Sequence, residues 1–133
     1  MAMELPDGAE QLRLKVICFD NLLAAKAERV YFKDQLSRFL FVSAGWLNAY
    51  APGRRAADLA GLSDFEVFSA EHASAAFADE KQIMRSGLPI VDKMERETYH
   101  GRPDTWVSTT KLPLRDESGK IIGTFGISRE IPR

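Results

Sequence analysis

The sequence predicts an α+β fold, with a five-stranded antiparallel sheet, short helices and one longer helix on one face. Two groups of β-rich runs, one near the N-terminus and one at the C-terminus, flank a block of helical segments. The stretch Thr105–Glu130 has β-branched and aromatic flanks around the polar centre Asp116–Lys120, which predicts a hairpin. Because a hairpin alone is only marginally stable in water, the helices must cover this sheet.

Length and composition are those of one folded domain. The chain has 133 residues, of which 45% are hydrophobic and 28% charged, and its net charge is -1. This balance leaves no general basic surface, so we expect no nucleic-acid binding by this domain. The single cysteine, Cys18, cannot form an internal disulfide, and no run of about 18 apolar residues is present to span a membrane. We therefore expect a cytoplasmic domain with no membrane segment in this chain.

Residues 1–28 are predicted to form a lead-in and an amphipathic helix. Met1–Ala9 contains proline and glycine and is expected to be flexible. Glu10–Ala27 contains neither, and its apolar residues recur at helical spacings. The residues of this apolar seam are Leu12, Val16, Phe19 and Leu23. The seam either packs on its own domain or pairs with a second copy of the chain, and the sequence leaves both interpretations open.

Residues 29–131 are predicted to form the main domain. Ser69 is expected to cap the long helix, and Gly87 and Pro89 to end it. The predicted elements are, in order, strands Arg29–Lys33 and Arg38–Ser43, a helix Ala44–Tyr50, a helical turn Arg54–Leu59, an irregular segment Leu62–Phe68 with inward aromatic side chains, a long helix ending near Arg85, a strand Ile90–Tyr99 and the C-terminal hairpin. The N-terminal helix is the element left to cover the second face of the sheet.

Four segments carry a resemblance to a known family. They are Val30–Asp34, Arg38–Val42, Gly61–Phe68, and the run from Trp106 through Pro113, Asp116, Gly119 and Gly123 to Ile127. In order and spacing they resemble the PAS domain, a sensory module of bacterial signalling proteins. The resemblance extends from about Arg29 to Glu130. It implies a sheet that curls around a cavity between its inner face and the helices.

Departures from the family pattern bear on cofactors and on output. Flavin-binding light sensors of the family have a reactive cysteine where this chain has Asp64, so flavin is not expected. A haem site needs an axial ligand on the long helix, where His72 is expected to lie too early and too exposed. His72 and His100 are also too isolated for a metal site. The resemblance leaves a small organic ligand of unknown identity. At the C-terminus Glu130-Ile131-Pro132 replaces the Asp-Ile-Thr with which many members end, so the mode of coupling to a following domain stays open.

Strand alternation and the resemblance together predict which side chains line the cavity. In the fourth strand Val107, Thr109 and Lys111 share the face that the resemblance turns inward. We expect the same of one face of the third strand and of the mostly apolar face of the fifth. The candidate ligand-binding residues are Trp46, Asp64, Phe65, Phe68, Phe77, Met84, Met94, Arg96, Val107, Thr109, Lys111 and Phe125. The aromatic members of this set either fill the core or contact a ligand.

A buried lysine needs a counter-ion, and Asp64 is expected to provide it for Lys111. This ion pair either fixes the segment against the sheet or leaves Lys111, with Arg96, to receive a ligand carboxylate. The acids on and near the third strand are expected at a solvated edge of the sheet. They are Asp92, Glu95, Glu97 and Asp104.

Two functional hypotheses follow, and an enzyme is not expected, because no serine or cysteine stands beside a histidine in a recognised catalytic motif. The first is a sensory and regulatory PAS domain of a signal transduction protein, which binds a small molecule in its cavity, forms a homodimer through the N-terminal helix, or does both. The alternative is a ligand-free dimerisation or protein-interaction module. In either case we expect an effector domain in the parent protein, which would be a histidine kinase of a two-component system, a diguanylate cyclase or a transcription regulator.

Overall fold

The computed structural model describes residues 7–132, and its elements follow the predicted order. They are α1 (Gly8–Ala24), β1 (Arg29–Asp34), β2 (Phe39–Val42), α2 (Ala44–Tyr50), α3 (Ala56–Leu59), a 3-10 turn (Asp64–Glu66), α4 (Ala70–Ser86), β3 (Ile90–Glu97), β4 (Thr105–Arg115) and β5 (Ile121–Glu130). The predicted lead-in, Met1–Ala9, falls largely outside the described residues. None of the helices within residues 7–132 has the length and apolar character needed to cross a membrane.

The five strands form one antiparallel sheet in the order β2-β1-β5-β4-β3. The first and last strands of the domain are therefore neighbours at its centre, where Arg29 lies opposite Ser128. Helices α2 and α4 pack on the inner face, which confirms the predicted α+β architecture. Helix α1 covers part of the outer face, because the ring of Phe19 contacts the rings of Phe32 and Phe41 at 5.3 and 5.2 Å.

Side-chain caps fix the helix ends near the inner face. The Ser43 hydroxyl accepts hydrogen bonds from the backbone N–H groups of Trp46 (3.2 Å) and Val30 (2.9 Å), so it joins the start of α2 to β1. The predicted cap Ser69 is confirmed, since its hydroxyl accepts from the backbone N–H of His72. Gly87 ends α4 in the left-handed region, at φ 73°.

An aromatic core lies between α2 and the N-terminal half of the sheet. Its buried members are Tyr31, Phe39, Val42, Trp46, Tyr50, Ala51, Leu59 and Phe68. The prediction that the aromatic side chains of Leu62–Phe68 point inward is correct for Phe68 and wrong for Phe65, which is 51% exposed. The reason is the 3-10 turn, because it points the carboxylate of Asp64 into the core and turns the next side chain outward.

The prediction for β5 is wrong about which face is inner. Phe125 lies on the outer face, where its ring stacks on Phe32 at 5.4 Å beneath α1. The inner face of β5 carries Thr124, Gly126 and Ser128, which are small and buried. Both faces of this sheet are covered, so the apolar face of a strand need not be the face that lines the cavity.

The prediction for β3 is wrong in the same way. Met94, 65% exposed, and Arg96 point outward, whereas Glu95 and Glu97 point to the cavity. The pairing of β3 with β4 shifts register between Ile90 and Lys93, so the start of the strand does not set its phase. The prediction that Glu95 and Glu97 lie at a solvated edge of the sheet is therefore wrong.

Candidate functional site

A small polar cavity lies between the inner face of the sheet and helices α2 and α4. Its volume is about 30 Å³, which is room for about two water-sized molecules. Five of the predicted ligand-binding residues line it: Trp46, Asp64, Phe68, Thr109 and Lys111. The other lining residues are Tyr31, Lys33, Tyr50, His72, Ala76, Glu80, Glu95, Glu97 and Ser128. Val107 is fully buried, on the predicted inner face of β4.

A buried lysine that the sequence analysis missed lies at one end of the cavity. Lys33 Nζ is 2.6 Å from Asp64 Oδ2 and 2.8 Å from Glu80 Oε2, and its side chain is 2% exposed. Strand β1 places Lys33 there because it shares a face with Tyr31, a member of the aromatic core. That alternation in β1 was the available signal, since a lysine on an apolar face requires buried counter-ions.

The predicted ion pair between Asp64 and Lys111 is wrong, because Asp64 binds Lys33 instead. Lys111 Nζ lies 3.5 Å from Glu95 Oε1, 3.7 Å from Asp79 Oδ2 and 3.9 Å from Glu80 Oε2. Lys111 is on β4, which β5 separates from β1. From that position it meets α4 and β3.

Burial is the largest single influence on the pKa values of Lys33, Glu80 and His72, which line the cavity. Burial alone would lower the pKa of Lys33, but the charges of Asp64 and Glu80 outweigh it and raise the pKa, so Lys33 stays protonated. Burial raises the pKa of Glu80 and outweighs the lowering effect of Lys33 and Lys111, while the negative charge of Asp64 raises this pKa further. Burial also lowers the pKa of His72. His72 is buried, so its predicted exposure is wrong.

A second polar network begins at Glu97, which also lines the cavity. Glu97 accepts hydrogen bonds from the hydroxyls of Tyr50 (2.8 Å), Thr105 (2.9 Å) and Tyr99 (3.3 Å). Burial raises the pKa of Glu97 despite these donors. Arg29 Nη1 donates to the Tyr50 hydroxyl at 3.4 Å, so the network reaches the first residue of β1.

The remaining predicted ligand-binding residues lie outside the cavity. Phe65 and Phe77 line an apolar surface cleft of about 110 Å³ together with Leu36, and Asp64 lines both this cleft and the cavity. Met84 is half-buried beside a separate surface depression. Arg96 is on the surface and pairs with Asp104, so its predicted role beside Lys111 is not supported by its position.

The predicted seam of α1 is divided between two environments. Phe19 and Leu23 are partly buried, and Phe19 packs on the outer face of the sheet. Leu12 and Val16 are 64% and 51% exposed. Within residues 7–132 the structure shows no cluster of three or more side chains suited to hold a metal ion.

The fold and the family comparison agree. The family model described as the PAS fold matches residues 28–133, so the chain belongs to the PAS fold family. Among curated proteins it is similar to the methanogenesis regulatory histidine kinase FilI of Methanothrix harundinacea (strain 6Ac), at 28% identity over 113 residues. That match covers 85% of this chain and only 12% of the kinase.

Solved structures show the same fold. The Vibrio cholera VqmA–ligand–DNA complex matches with a TM-score of 0.73 and 23% identity, over 86% of this chain and 50% of that one. A PAS domain from Colwellia psychrerythraea matches with a TM-score of 0.68 and 14% identity, over 90% of this chain and 96% of that one. At these identities the similarity concerns the fold.

Proposed function

We propose that this chain is the sensory and regulatory PAS domain of a signal transduction protein, in which the state of the internal cavity is coupled to the two ends of the domain. Residues 1–28 would form the connecting segment and residues 29–131 the sensing domain. The similarity to a histidine kinase, and to a protein solved with ligand and DNA, supports a kinase or a transcription regulator as the parent.

A continuous chain of contacts from the cavity wall to both ends of the domain carries this proposal. Tyr50 lines the cavity and bonds both to Glu97 and to Arg29. Arg29 is the first residue of β1, a few residues after α1 ends. Its Nη2 atom is 3.5 Å from Oε2 of Glu130, the last residue of β5. One arginine thus touches the cavity network and both places where the chain enters and leaves the sheet.

These contacts provide a physical route for a signal. A ligand shifts a protein between two arrangements only if it binds one of them more tightly. Buried polar groups must keep their partners, so a displacement of Glu97 or Tyr50 has to be accommodated by Arg29. A shift of Arg29 would move the junction with α1 and the end of β5, from which an effector domain would be controlled.

Hydrogen exchange tests this coupling. Tyr50→Phe removes the hydroxyl that joins Glu97 to Arg29 and keeps the aromatic ring. We expect faster amide exchange in α1 and at the end of β5, with β4 unchanged. Tyr99→Phe is the matched control, because its hydroxyl bonds to Glu97 and Thr105 rather than to Arg29 in the described structure. Unchanged exchange in α1, or an equal change in both variants, would contradict the proposal.

A second candidate function, dimerisation without a ligand, is favoured by the exposed half of the α1 seam. Leu12 and Val16 are exposed apolar residues on the side of the helix that also carries Phe19. The cavity volume of about 30 Å³ also suits a domain with a filled core. In this proposal a second copy of the chain covers Leu12 and Val16, and the dimer contact joins the outer face of the sheet.

Light scattering coupled to size exclusion tests the dimer. Val16→Glu should convert a dimer to a monomer, because a charge would be buried in the contact. Asn21→Glu adds the same charge on the opposite side of α1 and is the control. A wild-type chain that is monomeric at high concentration, or a dimer that survives Val16→Glu, would contradict dimerisation through this seam.

A further inference from the structure

The charges around the cavity are not balanced. Two lysines and four carboxyl groups line it, so the formal excess is two negative charges when all six groups are ionised; they are Lys33, Lys111, Asp64, Glu80, Glu95 and Glu97. His72, which also lines the cavity, has its pKa lowered by burial and adds no positive charge at neutral pH. From this excess, and from two buried carboxylate oxygens that have no hydrogen-bond partner within residues 7–132, we propose that the cavity binds a small ammonium cation, either ammonium itself or a short primary amine. The inference rests on the proposed sensory function and names its ligand class.

Two buried carboxylate oxygen atoms lack the hydrogen-bond donors that such a cation would bring. Neither Oε1 of Glu80 nor Oε1 of Glu95 has a hydrogen-bond partner within residues 7–132. Oε1 of Glu95 has only the ion-pair contact with Lys111 Nζ at 3.5 Å, and the lysine contacts of Glu80 are made by its other oxygen, Oε2. Glu80 is completely buried, and both residues line the cavity. A buried carboxylate oxygen without a donor is a rare and costly arrangement in a folded protein. An ammonium group supplies N–H donors for these oxygens and a positive charge that reduces the excess of negative charge.

The lysines are already committed, which argues against an anionic ligand. Lys33 lies between Asp64 and Glu80 at hydrogen-bond distance, and Lys111 lies within 4 Å of three carboxylates. A ligand carboxylate would have to displace one of these acids and would then face the remaining ones as a like charge. The sequence-based hypothesis that Lys111 receives a ligand carboxylate therefore has less support than recognition of a cation.

The size of the cavity sets the size of the ligand. A volume of about 30 Å³ accommodates an ammonium ion or methylammonium and excludes drug-sized ligands, whose pockets are typically about 300 Å³ or more. Asp64 lines both the cavity and the surface cleft of Phe65 and Phe77. Movement of the 3-10 turn that carries Asp64 would thus connect the cavity to solvent, which gives the cation a path of entry.

Titration of the whole chain with methylammonium chloride tests this assignment. Amide resonances of ¹⁵N-labelled protein at neutral pH should shift saturably around Glu95 and Thr109, while sodium chloride and sodium acetate at equal ionic strength should not cause this change. Glu95→Gln leaves the bonds of Lys33 intact and should weaken methylammonium binding at least tenfold. Glu80→Gln should do the same if it folds. Glu117→Gln, in the exposed turn between β4 and β5, should bind as the wild type does.

Several outcomes would overturn the inference. They are the absence of saturable shifts with methylammonium, saturation by acetate instead, and unchanged affinity in Glu95→Gln. If methylammonium fails to bind while Tyr50→Phe still alters exchange in α1, the ligand class is wrong and the coupling proposed above stands. If methylammonium binds and Tyr50→Phe leaves α1 unchanged, the cavity is a cation site without that route of output.

Discussion

The clearest prediction from the cavity concerns Lys33→Met, which removes the cation and preserves most of the side-chain volume. Lys33 is almost completely buried, and two carboxylates depend on it, Asp64 at 2.6 Å and Glu80 at 2.8 Å. Removing one partner from a buried ion pair typically costs about 3–5 kcal/mol, because the remaining charge is left uncompensated. We expect a loss of that size at pH 7, which is a large part of the roughly 5–15 kcal/mol that stabilises a domain.

The pH dependence of this loss follows from the pKa shifts of Glu80 and Lys33. Burial raises the pKa of Glu80, so in the variant Glu80 can take up a proton as the pH is lowered, and the cost should shrink from pH 7 toward pH 5. The pKa of Lys33 is raised, so the stability that this group contributes in the wild type is complete below the ordinary lysine pKa. It is lost only as the pH rises through the higher folded-state value. Titration of Lys33 therefore does not affect the stability difference between the wild type and Lys33→Met from pH 7 to pH 5.

Urea denaturation followed by tryptophan fluorescence measures the effect, since Trp46 is buried. Lys93→Met is the matched control: Lys93 Nζ is also 2.6 Å from a carboxylate, that of Asp79, but this lysine is solvent-exposed. A surface pair of this kind is typically worth about 0–1 kcal/mol. The triple variant Lys33→Met with Asp64→Asn and Glu80→Gln should recover much of the loss. If Lys33→Met costs no more than Lys93→Met, the argument from buried charge is refuted.

Two further predictions concern the inner wall and its second acid. A methyl group on Gly126 would lie 2.4 Å from the Tyr31 hydroxyl oxygen and 3.0 Å from the backbone oxygen of Thr110. Gly126→Ala should therefore lower the free energy of unfolding by roughly 1–3 kcal/mol, measured as a lower midpoint of urea denaturation. A midpoint equal to that of the wild type would contradict this prediction. Burial raises the folded-state pKa of Glu97, so the stability linked to this group is complete below the ordinary glutamate pKa and is lost as the pH rises through the raised value. The stability of Glu97→Gln relative to the wild type should thus increase with pH across this interval, and a pH-independent difference in urea denaturation would contradict the assigned shift.

The elements of this fold could be predicted because their signals are local. Ser69 caps α4 through its own hydroxyl, and Gly87 ends the helix in a conformation that glycine adopts without strain. The hairpin of β4 and β5 turns at residues 116–119, where the Asp116 carboxylate accepts from the Ser118 backbone N–H. Each of these features depends on a few neighbouring residues, so their positions can be read from the chain.

Which face of each strand points to the cavity could not be predicted from such local signals. Alternation shows that Met94 and Arg96 share a face, and that Phe125 shares one with Ile127, but it does not show which face is inner. In β5 the apolar face packs under α1, and in β3 the acidic face lines the cavity. The rule that apolar residues point to the core fails here because both faces of the sheet are covered and the cavity is polar.

The sequence by itself determined the class of fold, the order of its elements and the need for a buried counter-ion beside an inward lysine. Only the tertiary structure decided which lysine takes Asp64 as its counter-ion, because Lys33, Asp64 and Glu80 come from a strand, a turn and a helix that are far apart in the chain. Helical and strand periodicities express the short-range geometry of the backbone, whereas ion pairing depends on distances that exist only once the sheet and α4 have packed together.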